Sequence, residues 1–148
     1  MKRRWDRLRC AVGLGVLLAA GCAGSTKFFT ALPGVPAGQS NIVVYRIKRL
    51  RAGDAYPHIY LDGEKRFPLR NATYNVLSVR PGKHVVEARG SILSWGLPPE
   101  AREVDVQPGE TAFLKLYVEP GVFRDNVVFE PADQEAALSV LPALRLSR

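Results

Sequence analysis

The sequence predicts an all-β fold, an antiparallel Ig-like β-sandwich of about seven strands with a short C-terminal helix. Three features carry that expectation. From residue 41 to residue 130 apolar side chains alternate with polar ones in short runs rich in Val, Ile, Tyr and Phe, the pattern of strands that bury one face. The runs are divided by turn residues, Asp62-Gly63, Pro81-Gly82 and Pro108-Gly109, with no helical stretch between them. Only beyond Pro131 does the apolar repeat lengthen to the roughly 3.6 residues of a helix.

Taken in order, residues 42–48 open with Ile42-Val43-Val44-Tyr45 and form a strand with at least one buried face. Charge and Gly53 mark residues 49–54 as a loop. His58-Ile59-Tyr60-Leu61 is a second strand, ending at Asp62-Gly63, the strongest short hairpin signal. Residues 65–69 return from it, and Pro68 restricts them to an edge or a bulge because proline donates no ladder hydrogen bond. Residues 74–79, 84–89, 103–106, 111–118 and 126–129 complete the strands. Arg80-Pro81-Gly82-Lys83 and Gln107-Pro108-Gly109-Glu110 both read as type II turns, with Pro setting the first central position and Gly the positive φ of the second. Pro131 suits a helix start. Ala137, Val140, Leu141 and Leu144 then share one face, and Pro142 kinks or ends the helix, which is expected to cross a sheet or cover an edge.

Ahead of the domain, residues 1–9 hold five Lys or Arg against one acid, Asp6, and residues 10–21 carry no charge. A basic start, a short apolar middle and small residues at the end make a secretory signal peptide. The apolar run falls well short of the roughly 20 residues that span a bilayer. Leu18-Ala19-Ala20-Gly21-Cys22 resembles the bacterial lipobox. The resemblance implies that Cys22 receives a diacylglyceryl thioether and becomes the first residue after cleavage. Several acyl chains together exceed the one-chain threshold for stable attachment. The alternative is an unmodified Cys22 near a conventional cut. In bacteria where Asp after the cysteine retains lipoproteins in the inner membrane, Ala23 at that place implies the outer membrane, facing the periplasm.

Cleavage removes five of the 21 basic and one of the 14 acidic residues, leaving 16 against 13 and a net +3. A charge that small withdraws the nucleic-acid partner that a strongly basic chain suggests. Cys10 leaves with the leader and Cys22 is taken by lipid, so burial alone must hold the domain, without a disulfide or cysteine metal site. Four segments result: signal peptide 1–21, flexible tether 22–40, sandwich 41–130, and a C-terminal helix over 131–148 packed on the sandwich. Phe28-Phe29 interrupt the tether, and either pack back on the domain or dip into lipid headgroups.

Tyr60-Leu61-Asp62-Gly63, Val79-Arg80-Pro81-Gly82-Lys83-His84-Val85-Val86 and the later Gly109-Glu110-Thr111 before Leu114-Lys115-Leu116 resemble a family of bacterial lipoproteins with a small β-sandwich domain of unknown function. They are similar as well to PEGA-type surface domains, with Asp-Gly, a strand, a Pro-Gly turn and a further strand. The resemblance implies an envelope lipoprotein. It carries turn chemistry only, so no catalytic residue comes with it.

Candidate sites are few. His84 shares parity with Val86 and Ala88 and reads as an inward histidine hydrogen-bonded beside its turn, while His58 faces solvent or an edge. Two histidines without cysteines make a metal site a poor fit, and no cofactor is implied. No G-x-S-x-G, H-E-x-x-H or phosphate loop is present, and Asp62 and Glu64 at a hairpin tip lack the burial that tunes an acid–base pair. The expectation is a protein that is not an enzyme.

The segment with Trp95 is the most apolar loop. Trp95 either plugs the open end of the sandwich or, with Tyr56, Tyr60 and Tyr74 on one face, stacks on a sugar or anchors a protein. Arg46, Lys48, Arg49 and Arg51 form a basic run that is either solvated or in contact with anionic headgroups or peptidoglycan carboxylates. The expected partners are the membrane through the N-terminal lipid and an envelope protein or peptidoglycan. The expected role is a non-catalytic structural or interaction module, with a peptidoglycan- or carbohydrate-binding lipoprotein as the alternative.

Overall fold

A computed structural model of the chain describes residues 27–50, 56–90, 99–119 and 126–147. Cys22, the expected lipid attachment point, lies outside the described residues, as do Trp95 and Arg51.

The strands are β1 (Ser40–Arg46), β2 (His58–Leu61), β3 (Glu64–Pro68), β4 (Thr73–Val79), β5 (Gly82–Arg89), β6 (Glu100–Val106), β7 (Thr111–Glu119), β8 (Asn126–Ala132) and β9 (Arg145–Leu146). Each of the first eight overlaps a run expected from alternation, with β1 ending at Arg46 instead of residue 48, β6 starting at Glu100 and β8 continuing to Ala132, and β9 is the addition. They form two sheets, one in the order β8-β7-β1-β4-β9 and one in the order β3-β2-β5-β6. Ile42, Val44, Leu77, Leu114, Leu116 and Phe129 from the first sheet meet Ile59, Leu61, Val86, Ala88, Val104 and Val106 from the second in one buried cluster. The molecule is a β-sandwich.

Pairing is not antiparallel throughout: β1 runs parallel to β7 and β9 parallel to β4. Tight turns can specify only antiparallel neighbours, whereas β1 and β7 are separated in the chain by the whole second sheet. The strand β1 is buried along its entire length. Ile42 and Val44 enter the inter-sheet core, while Val43 and Tyr45 enter a second cluster on the far side of the same sheet, with Tyr74 and Phe113.

That far side is covered by a helix α1 (Gln134–Val140), which contributes Ala137, together with Leu141 and Leu144 beyond its end. Asp133 caps the helix, its Oδ1 accepting from the Ala136 N–H at 2.7 Å. Pro131 therefore does not start the helix as expected. It sits in the edge strand β8 opposite Leu114, and a sheet edge is where proline is tolerated. Pro142 does end the regular helix, which tightens into a 3₁₀ turn over Leu141–Ala143.

The segment expected as the end of a tether is laid against the domain from Lys27 onward. Phe29 is buried, its ring edge-on to Tyr74 at 5.4 Å, and its N–H donates to the Leu144 carbonyl at 3.2 Å. The Leu146 N–H donates to the Lys27 carbonyl at 2.8 Å, and Asn41 Nδ2 to the Pro33 carbonyl at 3.4 Å. Of the aromatic pair, Phe29 packs inward and Phe28 remains half exposed.

The turns largely follow their residues. Asp62 and Gly63 both take positive φ, +52° and +82°, as the two-residue I′ hairpin between β2 and β3 requires. Pro68 pairs on the edge strand β3, and a bulge lies between Ile59 and Tyr60. Gly109 has φ +78° and the Glu110 N–H returns to the Gln107 carbonyl at 3.0 Å, a type II turn. Gly82, at φ +126°, is already the first residue of β5 opposite Val106, so the other Pro-Gly pair departs from type II. An Ala at Gly109 would meet no neighbour but would carry the left-handed strain. Gly109→Ala should lower stability by about 1–2 kcal/mol, read from the urea midpoint at unchanged slope.

Candidate functional site

The strand alternation that buries Ile59, Leu61, Val86 and Ala88 turns Tyr60, Val85 and Glu87 to the opposite face of the four-stranded sheet. Register places His58 opposite Arg89 and Tyr60 opposite Glu87. The Arg89 guanidinium lies 4.2 Å from the centre of the Tyr60 ring, and its Nε donates to Glu87 Oε2 at 2.8 Å, with Nη2 on the same oxygen. Beside this group the Tyr56 ring meets His58 edge-on at 6.2 Å and carries the Arg70 guanidinium at 4.7 Å. Burial, then Lys65 and Arg70, hold the His58 imidazole below its ordinary range. The result is an aromatic surface overlaid with guanidinium groups and one carboxylate.

Two of the four expected binding residues, Tyr56 and Tyr60, thus share one surface. Tyr74 does not join them. It packs on the far side of the other sheet, where burial raises its phenol, because its parity on β4 places it with Val76 against Phe29. Arg46 also leaves its expected basic run: it is 2% exposed, and burial, then Arg49, lowers its guanidinium.

His84 is bound on both sides. Its Nδ1 lies 2.7 Å from Asp62 Oδ2 and its Nε2 2.7 Å from the Arg80 carbonyl, so neither nitrogen is free to accept a proton from a substrate in this geometry. Asp62 also accepts from the Val85 N–H at 2.8 Å and donates its own N–H to the Val85 carbonyl at 2.9 Å. The hairpin tip is thereby tied to the start of β5. Asp62 was expected as a turn residue, and its second role comes from a contact across 22 positions that local sequence does not show.

Burial pushes the His84 imidazole down. The Asp62 hydrogen bond, the Arg80 carbonyl and the Asp62 charge more than offset it, and the net direction is upward. Asp62 is lowered by the His84 hydrogen bond first and the Val85 N–H second, against some burial. A raised histidine stabilises the fold fully below its unfolded pKa of 6.5 and loses that contribution as pH rises through the folded value. A lowered carboxyl contributes above its unfolded 3.8 and loses the contribution as pH falls through the folded value. The pair therefore helps most between those two unfolded values. His58, lowered, runs the other way. Raising pH from 6 to 9 should lower the urea midpoint of the wild-type chain more than that of Asp62→Asn, and equal slopes would show the pair to be silent.

A cleft of about 660 Å³ lies between β6 and the β7–β8 edge and is lined by Glu103, Asp105, Glu110 and Asp133. Three of these acids already have partners: Glu103 holds Lys83 at 2.8 Å, Glu110 accepts from the Gln107 N–H at 2.7 Å, and Asp133 caps the helix. Among the described residues no group of three or more His, Cys, Asp or Glu is placed to hold a metal ion, and no helix is long and apolar enough to cross a membrane.

Fold and surface together define a small, disulfide-free β-sandwich module with a polar-aromatic outer face on its four-stranded sheet. The chain belongs to the family described as Protein of unknown function (DUF2846), whose model matches residues 36–131. The match takes in β1 through most of β8, and leaves Phe29, α1 and β9, which cover the second core, beyond it. No curated protein matches the chain.

Proposed function

We propose that the protein is a lipid-anchored cell-envelope protein, held in the outer membrane and facing the periplasm, whose sandwich serves as a non-catalytic structural or interaction module. The observation that carries this reading is Leu18-Ala19-Ala20-Gly21-Cys22 behind a basic, then apolar, leader. The interaction surface is the open face of the four-stranded sheet. Guanidinium groups stacked on Tyr56 and Tyr60 keep in-plane donors for a partner's carboxylates while the rings supply contact area.

The alternative, a peptidoglycan- or carbohydrate-binding lipoprotein, is favoured by the two tyrosines on one surface. Against it, one face of each ring already carries a guanidinium, which a sugar stacking there would displace.

Cys22→Ser should accumulate as an uncleaved, unlipidated precursor, read by intact mass of the membrane fraction. Normal processing of that variant to a soluble product would remove the anchor. Retention of the wild-type protein on purified sacculi, lost in Tyr60→Ala, would select the carbohydrate reading. No retention is the expected result.

A further inference from the structure

The topology divides the sandwich into two unlike ends. Asp62-Gly63, Pro81 and Pro108-Gly109 turn at one end. At the other, β1 stops at Arg46 opposite Thr73, β9 starts at Arg145 opposite the same Thr73, and β3 passes into β4 through residues 69–72. The first described residues arrive at this second end too, since Phe28 bridges Arg145. Two of the three exposed large hydrophobic side chains among the described residues, Leu50 at 96% and Phe28 at 50%, lie here.

Around them stand Lys27, Arg49, Arg70 and Arg145, all exposed. The Arg145 guanidinium lies 5.1 Å from the Phe28 ring centre and that of Arg49 lies 5.6 Å from Tyr117. Asn71 fixes the Arg49 backbone from both sides, at 3.0 and 2.7 Å. Among the described residues none of these four cations takes part in an ion pair; the pairs there use Arg66, Lys83, His84, Arg89 and Lys115. Glu100 and Glu119 are the acids on strand ends at this side, and Glu87 is held by Arg89.

Lys27 is five residues from Cys22, which limits the separation of their Cα atoms to about 18 Å. With Lys27 pinned to Leu146, an anchored chain has no long tether on which to hold this end away from the bilayer. We infer that the end bearing Phe28, Leu50, Arg49, Arg70 and Arg145 docks on an anionic lipid surface. The two hydrophobes enter the headgroup boundary and the cations face phosphates, an inference that rests on the lipid anchor proposed above. The docking would turn the opposite, Asp62-Gly63 end outward and stand the Tyr60 face upright, open to a partner in the aqueous space.

The test is hydrogen exchange of the full lipidated protein in phosphatidylglycerol-containing vesicles, in phosphatidylcholine vesicles and in detergent. Amides of residues 47–50 and 69–72 should exchange several-fold more slowly in anionic vesicles than in either other setting, with residues 62–63 and 109–110 unchanged. The variant Phe28→Ser/Arg49→Glu/Leu50→Ser/Arg145→Glu should lose that protection while keeping its exchange pattern elsewhere. Equal protection in both vesicle types, or protection at the Asp62 end, would overturn the inference. So would protection in detergent that grows with protein concentration, which would mean a second copy. Intact mass read beforehand separates the anchor from the surface. If Cys22 proves unmodified, the isolated protein is sedimented with the same vesicles: enrichment on the anionic ones by about tenfold or more over the variant upholds the surface alone, and no enrichment removes it.

Discussion

Leu116→Ala should lower the stability of the domain by about 3–4 kcal/mol, seen as a lower urea midpoint with unchanged slope. Leu116 is fully buried, and β7 is hydrogen-bonded on both sides, to β1 and β8. The side chain faces the inter-sheet core near Phe129, its ladder partner across β8. Strands clamped on two edges cannot collapse into the space left by a lost isobutyl group, so most of the cavity term survives alongside the transfer term. Domains of this size are stable by only about 5–15 kcal/mol, and the loss is a large part of that. A shift below about 1 kcal/mol would mean that the two sheets are not packed as described.

Phe29→Ala tests a different layer. Truncating a buried aromatic costs about 3–5 kcal/mol where the structure cannot relax, but Phe29 sits on a terminal segment with an exit. Its contacts are Tyr74, the Leu144 carbonyl and the cluster around Ala137 and Leu141. Once the ring is gone, the segment can detach by local opening, and the cost is capped by the free energy of docking it. The expected result is faster amide exchange over residues 134–146, several-fold or more, with a global loss smaller than that of Leu116→Ala. Equal losses in the two variants would show that the outer layer and the sandwich unfold as one unit.

The strands were readable, though not all of their bounds, because alternation and turn chemistry are local; β1 stops at Arg46 where a run to residue 48 was expected, and β8 continues to Ala132. Asp62-Gly63 required two positive φ values, and both residues have them. Ile42-Val43-Val44-Tyr45 gave an incomplete account: a continuous apolar run signals burial, but it does not say that one side belongs to the sandwich and the other to a second cluster under a helix. Pro131 misled for a related reason. Proline is at home both at a helix start and on an edge strand, and only the position of β8 at the sheet margin distinguishes the two. Tyr74 looked like a surface aromatic because nothing near it in the chain announces Phe29, forty-five positions earlier, as its cover.

The candidate surface divides along the same line. Tyr56 and Tyr60 were visible as aromatics on or beside one strand. The guanidinium partners Arg70 and Arg89 come from the connection after β3 and the end of β5, and reach the rings only through strand register. Asp62 was visible as a turn residue, and its bonds to His84 and Val85 cross 22 and 23 positions.

Residue order alone was enough for the alternation, the turns, the all-β class and the cysteine-poor composition of the domain, because each depends on neighbours a few positions apart. Which strands run parallel, which side of β1 is roofed by Phe29 and Leu141, and which end gathers Phe28, Leu50 and Arg145 follow from contacts between segments far apart in the chain. Those contacts form only when the apolar faces of separate elements are brought together out of water, and no stretch of sequence read on its own contains the partner that completes it.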